Sequence, residues 1–503
     1  MGRPSTIGEL RKSGYKVISV KDEIRKNLIE KIHRNEKLFP GIIGYDDTVI
    51  PAIVNALLAR HDLMLLGLRG QAKSRIVRQL PTLLDEVIPI IRGCEINDNP
   101  FDPVCKRCVD MVNECGDAVQ IDWIHRDARL GEKLATPDVT IADLIGDIDP
   151  IKAASQRLHY SHEGAIHFGI IPRTNRGIFA INELPDLQPR IQVSLFNIMQ
   201  EKDIQIRGFN VRIPLDVFIV FTANPEDYTN RGNIITPLKD RIDSQIFTHY
   251  PRMLDEAIQI TEQEAWVERN GGRIHIPQYF KEIIEQIAFE ARKSEFVDQK
   301  SGVSARLTIA AMENLVSNAE RRAILTNDSR IVPRICDLPH VLPGLTGKIE
   351  LVFEGEQEGP SKVSRALIGK AVREIFKKYF PDPLQRKIPR PRGAESHAHA
   401  EDAEYGKLTG WFEAGNKIEI SDDMPLNEYF RELDKVNGLR EITKQRMKLS
   451  DAENYELASA MEFVLDGLHQ FSKIAKDEVN HMIEYKDLVG SIFMGRGKPE
   501  EED

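Results

Sequence analysis

DLMLLGLRGQAKS, residues 62–74, runs from a short apolar stretch through a glycine-containing turn into a helical pattern that carries Ile76 and Leu80. Strand, loop and helix in that order bring backbone N–H groups to the start of a helix, where they can cradle phosphate oxygens. The loop follows G-x-x-x-x-G-K-[ST] as Gly67-Leu-Arg-Gly70-Gln-Ala72-Lys73-Ser74. Lys73 is placed to meet the β and γ phosphates of a nucleotide and Ser74 to hold Mg²⁺. Ala72 departs from the pattern, which asks for glycine there; one methyl is a small intrusion where the local φ is negative, and the loop is expected to tolerate it.

Working outward, Asp46 and Asp47 precede Ile50, Ile53, Val54, Leu57 and Leu58, a 3.6-residue period with acids at the helix start. Two more continuous apolar runs follow the loop, GIFAINE at 177–183 and DVFIVFTANP at 216–225. Runs of this kind suit strands buried on both faces of a parallel sheet. With helical patterns between them, the fold class is α/β. From about 252 to 345 the pattern becomes largely helical.

The second acidic element of a nucleotide site belongs at the end of a buried strand, where one group anchors the metal's water shell and another activates the attacking water. Asn182 and Glu183 stand there, and Glu183 is the candidate base. Asn182 is a second departure, since an amide accepts hydrogen bonds without bringing negative charge. Mg²⁺ binding is expected to suffer for it.

The ordered set GLRGQAKS, VTIADLIGDIDPIKA, GIIPRTNRGIFAINELPDL and FTANPEDYTNRGNIITPLKDRI resembles the helix-2-insert group of AAA+ ATPases, nearest to the ATPase subunit of magnesium chelatase and its MoxR-type relatives. The resemblance covers residues 39–345 and implies a P-loop core whose parallel sheet is sandwiched by helices, followed by a helical lid; beyond it a mainly helical C-terminal region is expected, which matches no motif. By the same resemblance Asn224 corresponds to the sensor-1 residue, Arg241 to an arginine finger offered to a neighbouring subunit, and Arg306 to sensor 2. Gly67, Gly70, Ala72, Lys73 and Ser74, with Ile43 and Gly44, make up the expected cofactor-binding set. The alternating Ile204, Ile206, Val211 and Ile213 around Gly208-Phe209-Asn210 read as a β-hairpin, which the family carries before sensor 1.

Expected boundaries are an N-terminal helical segment at 1–38, a core at 39–251 with a cysteine-rich insertion at 92–120, a lid at 252–345, and a C-terminal region at 346–503. A linker is expected at 381–406, where four prolines and mixed charge accompany few large apolar residues. His397 and His399 read there as solvated histidines. Leu457, Met461, Val464, Leu468 and Phe471 form a helical stripe that faces a core or a partner.

Four of the five cysteines, Cys94, Cys105, Cys108 and Cys115, crowd into one segment, unlike a dispersed disulfide framework. Four thiolates suit a tetrahedral structural Zn²⁺, and the spacing of Cys105 and Cys108 lets two sulfurs share one ion. The outer spacings match no standard template, so His125 as a ligand, or four unligated thiols, stay open.

With 68 Lys and Arg against 78 Asp and Glu, the net charge of −10 supplies no global basic field for nucleic acid or anionic membrane. No run reaches the roughly 18–20 apolar residues that span a bilayer, and the polar start lacks a signal peptide's apolar core. A cytoplasmic protein is expected. Its expected function is an ATP- and Mg²⁺-dependent motor that hydrolyses ATP in a homo-oligomeric ring, hexameric by resemblance, and remodels a partner. That resemblance also implies a partner with a von Willebrand A domain. Ala72 and Asn182 keep a second reading open, a nucleotide-gated scaffold with little hydrolysis. A relative of the sigma-54-type transcription activators or helicases is the third, against which no Gly-Ala-Phe-Thr-Gly-Ala loop or DNA-binding helix-turn-helix is found.

Overall fold

The computed structural model describes the chain except for residues 1, 156–162, 207–211, 226–232, 270, 272, 385–398, 480–481 and 489–503. Gly208–Asn210, Val211, His397 and the charged C-terminal tail lie outside the described residues. The chain divides into two compact units, Met1–Tyr250 and Pro251–Asp503.

The first unit is built on five parallel strands among the described residues: β1 (Leu63–Leu66), β2 (Leu130–Leu134), β3 (Gly177–Asn182), β4 (Val217–Ala223) and β5 (Ser244–Phe247). Their spatial order is β5-β1-β4-β3-β2. Register aligns Leu63 with Val220 and Ser244, and Val217 with Gly177. Every residue of β1, β3 and β4 is buried, as the unbroken apolar runs require.

Two apolar cores cover the two faces. Leu63 and Leu65 point into one with Ile178, Val220 and the helices Val20–His33 (α1) and Val49–Leu58 (α2); Met64 and Leu66 point into the other with Phe179, Phe221 and Leu195. Alternation along a strand sends successive side chains to opposite faces, which is why one run feeds both cores. The N-terminal segment is therefore part of this unit. Glu23 of α1, 3% exposed, accepts two hydrogen bonds from the guanidinium of Arg129, 1% exposed, at 2.7 and 2.6 Å.

The expected hairpin arms are present as Asp203–Gln205 paired antiparallel with Arg212–Pro214. An antiparallel pair, Val87–Ile91 with Ile121–His125, frames the cysteine-rich insertion.

The second unit is mainly helical. Segments 252–345 and 346–503, expected as a lid and a separate region, share one continuous core that runs from Tyr279 to Tyr485. With α3 (Lys73–Gln79), α4 (Lys106–Cys115) and α5 (Pro189–Gln200) in the first unit, the helices of the second include α6 (Gln278–Ala291), α7 (Arg306–Thr326), α8 (Pro360–Tyr379), α9 (His399–Glu413) and α10 (Asn454–Gln470). The stripe on α10 faces this core, since Leu457, Met461, Val464, Leu468 and Phe471 are all buried. The expected linker at 381–406 is corrected at its C-terminal end. His399 opens α9, and Tyr405, Leu408 and Phe412 pack in the core at helical spacing, a signal that prolines upstream obscured.

Candidate nucleotide site

The phosphate loop leaves β1 at Leu66 and enters helix α3 at Lys73–Gln79, so it lies at the carboxyl edge of the parallel sheet. Ligands bind at this edge in open α/β sheets, and β1 sits between β4 and β5 where the strand order switches. Gly67 has no room for a side chain: a Cβ there would stand 1.8 Å from Thr248 Oγ1 and 2.2 Å from Gln71 Oε1.

Three neighbours hold the loop from outside. The Tyr45 hydroxyl donates to Gln71 O at 3.0 Å, the Tyr250 hydroxyl donates to Arg69 O at 2.9 Å, and Thr248 Oγ1 donates to Gln71 Oε1 at 2.7 Å. Burial pushes the Tyr45 phenol up to about 12, which keeps it a donor at neutral pH. Ile43 and Gly44, half-buried, run directly into this tyrosine. These clamps carry no motif that would single them out in the sequence.

Ala72 departs from expectation. Its φ is +56°, in the left-handed region, so the tolerance expected for a negative φ does not apply. An alanine held there costs about 1–2 kcal/mol, and the clamped loop sustains it.

The structure brings three expected residues together. Lys73 Nζ donates to Leu68 O at 3.1 Å, to Asn224 Oδ1 at 2.7 Å and to Gly67 O. Asn224 Nδ2 in turn donates to Glu183 Oε2 at 2.9 Å. Loop lysine, sensor-position amide and candidate base thus form one hydrogen-bonded series across the ends of β1, β4 and β3. Glu183, at the end of β3, has φ +55°, in the left-handed region. Ser74 is exposed on the first turn of α3.

Asn182 has both ends of its amide bound within the protein. Its Oδ1 accepts from Thr222 Oγ1 at 3.1 Å, and its Nδ2 donates to Glu132 Oε1 at 2.6 Å. Glu132, on β2, also receives Arg78 at 3.1 Å. The carboxylate missing at position 182 is therefore present one strand away. Nothing in the isolated GEKL segment announces it; the lateral pairing of β2 with β3 reveals it. For Mg²⁺, which the fold class implies, the donors fit in part: the Ser74 hydroxyl is available as a direct ligand, with Asn182 and Glu132 suited to its waters, and the ion would supply charge neutralisation at the phosphates.

Arg241 and Arg306 stand outside this series. Arg241 donates to Gln200 Oε1 at 3.2 and 3.1 Å and to Pro237 O at 2.7 Å, and lies 4.6 Å from the centre of the Phe196 ring; Phe196 and Gln200 belong to α5 (Pro189–Gln200). Arg306 is exposed at the start of α7 in the second unit.

The cysteine-rich insertion is corrected. Cys94, Cys105 and Cys108 converge, but their fourth neighbour is Asp98; Cys115 is exposed elsewhere. The reason is helix α4 (Lys106–Cys115). At 1.5 Å per residue it carries Cys115 about 10 Å along the axis from Cys108. His125, the other open ligand, instead lies 3.2 Å from Asp127.

A five-stranded parallel sheet with a phosphate loop after the interior strand β1, Asn224 at the end of the adjoining β4 and Glu183 at the end of β3 beyond it, defines a P-loop nucleotide-binding core that resembles the AAA+ ATPases. A family model, the sigma-54 interaction domain, matches residues 160–245. That span takes in Glu183, Asn224 and Arg241 and leaves out the phosphate loop.

The comparison with curated proteins gave no match. Solved structures similar to this chain include NtrX from Brucella abortus, at 13% identity over 57% of this chain and 54% of that one, with a TM-score of 0.33. A model of the BchI–BchD complex of magnesium chelatase is 20% identical over 63% of this chain and 98% of that one, with a TM-score of 0.34. Hsp104 is 14% identical over 63% and 51%, with a TM-score of 0.38. The chain thus spans about half the length of NtrX and of Hsp104. At such scores the likeness carries no functional weight, which rests on the site's own geometry.

Proposed function

We propose that the chain is an ATP-hydrolysing motor that works in a ring and remodels a partner protein. The observation behind it is the series Lys73–Asn224–Glu183. It joins the cation suited to the phosphates with the carboxylate suited to polarising water, through an amide able to touch both.

In this reading Lys73 and the loop N–H groups bind the triphosphate, Ser74 serves the metal, and Glu183 orients the attacking water. Arg241, bonded to Gln200 and Pro237 on its own unit, is assigned to a neighbouring subunit's nucleotide, where a planar cation stabilises charge on the transferred phosphoryl group. Arg306 keeps its sensor-2 role as part of the proposal. A cytoplasmic hexamer and a partner with a von Willebrand A domain are the narrower form of the reading, drawn from the family resemblance.

The nucleotide-gated scaffold remains the second reading, favoured by the left-handed Ala72 and the fully bonded Asn182. Steady-state ATPase activity separates the two. Mixing Glu183→Gln with Arg241→Ala tests the ring: each alone is expected to be inactive, and a mixture of assembled, exchanging subunits recovers part of the activity. No ATPase in the parent protein, or no recovery in such a mixture, would overturn the motor or the trans assignment respectively.

A further inference from the structure

The insertion between Val87–Ile91 and Ile121–His125 brings together a cluster of metal-ligating side chains apart from the phosphate loop. The ligand atoms of Cys94, Asp98, Cys105 and Cys108 all lie within 4.8 Å of one another. A tetrahedral Zn²⁺ with bonds of about 2.3 Å to sulfur needs ligand atoms separated by about 3.8 Å, so the four stand near the corners of one ion's shell. An iron–sulfur cluster, which spreads its thiolates around several metals, would need them farther apart.

Asp98 points to an ion. It is 0% exposed, and while its Oδ2 accepts the Cys105 N–H at 3.0 Å, its Oδ1 is buried without a hydrogen-bond partner. A buried carboxylate oxygen with no donor is costly, and a cation is the partner that a cluster of three thiols and one carboxylate is equipped to hold. The backbone is arranged for a thiolate as well: the N–H groups of Ile96 and Asp98 both approach Cys94 Sγ, at 3.4 and 3.3 Å, the outer hydrogen bonding that orients a metal ligand.

The geometry points to a structural Zn²⁺ site formed by Cys94, Asp98, Cys105 and Cys108, with Cys115 taking no part. All four positions are filled by protein, so the site closes a loop and leaves no place for substrate. The loop it closes touches the core. Asn97 Nδ2 donates to Arg173 O at 2.9 Å and Asn175 Nδ2 donates to Ile96 O at 3.1 Å, both just before β3, whose far end carries Asn182. Metal binding would thus order the insertion against the segment that leads into the strand of the candidate base.

The test uses the full chain purified with reductant and without chelator. Elemental analysis should find about one zinc per chain, since sites of this donor class bind tightly at neutral pH. Cys115→Ser should keep that zinc, whereas Cys105→Ser should lose it and Asp98→Asn should weaken its affinity by roughly tenfold or more. Should Cys105→Ser fail to fold, Co²⁺ exchanged into the parent chain should give a thiolate-to-cobalt charge-transfer band that survives Cys115→Ser. Less than about 0.2 zinc per chain after incubation with excess Zn²⁺ and desalting would overturn the site. So would loss of the zinc or the cobalt band in Cys115→Ser, or a free-thiol titration showing two of the three clustered cysteines oxidised to a disulfide.

Discussion

Asn224 donates from Nδ2 to Glu183 Oε2 at 2.9 Å while accepting Lys73 Nζ on its Oδ1 at 2.7 Å, so one amide reads both ends of the candidate site. Its orientation is fixed by having a donor on one side and an acceptor on the other. Glu183→Gln keeps the shape and removes the charge. ATP should still bind, measured by calorimetry, while turnover falls by roughly 10²–10⁴. Asn224→Ala should lose turnover by a comparable factor, because it separates the two residues that remain. Normal turnover in either variant would remove the series from the mechanism.

Lys73→Ala should abolish ATP binding in the same calorimetric assay, because the ammonium is the side-chain cation placed by the loop. Binding equal to that of the parent chain would show that the nucleotide lies elsewhere.

The left-handed conformation of Ala72 makes a stability prediction with a definite sign. Glycine adopts φ +56° without the Cβ clash, so Ala72→Gly should stabilise the first unit by about 1 kcal/mol, less glycine's larger entropy loss on folding. Thermal unfolding of the parent and variant checks this, and a lower midpoint in the variant would contradict it.

Asn182 faces a carboxylate, and restoring the acid usual at that position should therefore fail by itself. In Asn182→Asp the group facing Glu132 Oε1, now 2.6 Å from a donor, becomes a second anion. Like charges at that distance oppose ionisation of both. The variant should need more Mg²⁺ for half-maximal ATPase activity than the double variant Asn182→Asp, Glu132→Gln, which restores a donor between the two positions. Equal Mg²⁺ requirements would show that Glu132 is a surface partner of Arg78 and no more.

The second unit has its own pH signature. Glu285 on α6 is 3% exposed, and burial pushes its carboxyl from an ordinary value near 4.5 up to about 7, against the lowering effect of the Thr261 hydroxyl that donates to it. The folded state thus holds a proton that the unfolded state releases. The stability contribution is complete below about pH 4.5 and is lost as pH rises through 7. Glu285→Gln should be more stable than the parent at pH 8, by on the order of 2–3 kcal/mol, with the difference shrinking toward pH 5. Denaturant midpoints that differ equally at both pH values would rule this out.

What could be read in the sequence follows the reach of each signal. Continuous apolar runs gave β1, β3 and β4 within one or two residues, because burial on both faces leaves no other pattern. Lys73, Glu183 and Asn224 were legible because each stands at a strand end or loop in fixed order. Glu132, Tyr45 and Tyr250 were not, since their roles arise from lateral strand pairing and loop contacts across as many as 181 residues. Cysteine spacing named three of the four clustered side chains and grouped Cys115 with them in place of Asp98, because spacing says nothing of where a helix carries Cys115. Asp98, a carboxylate among many, becomes distinctive through its burial.

The ion pair of Glu23 with Arg129 decides where this chain can be cut. A sequence-guided truncation beginning at residue 39 would look harmless, since it spares every motif of the nucleotide site. It would also strip the carboxylate from a guanidinium that is 1% exposed. Orphaning a buried charge in this way costs about 3–5 kcal/mol, against roughly 5–15 kcal/mol that holds a whole domain folded. Minimal fragments for biochemistry should therefore start ahead of Val20, and an inactive shorter fragment would report on a missing counter-ion before it reported on catalysis.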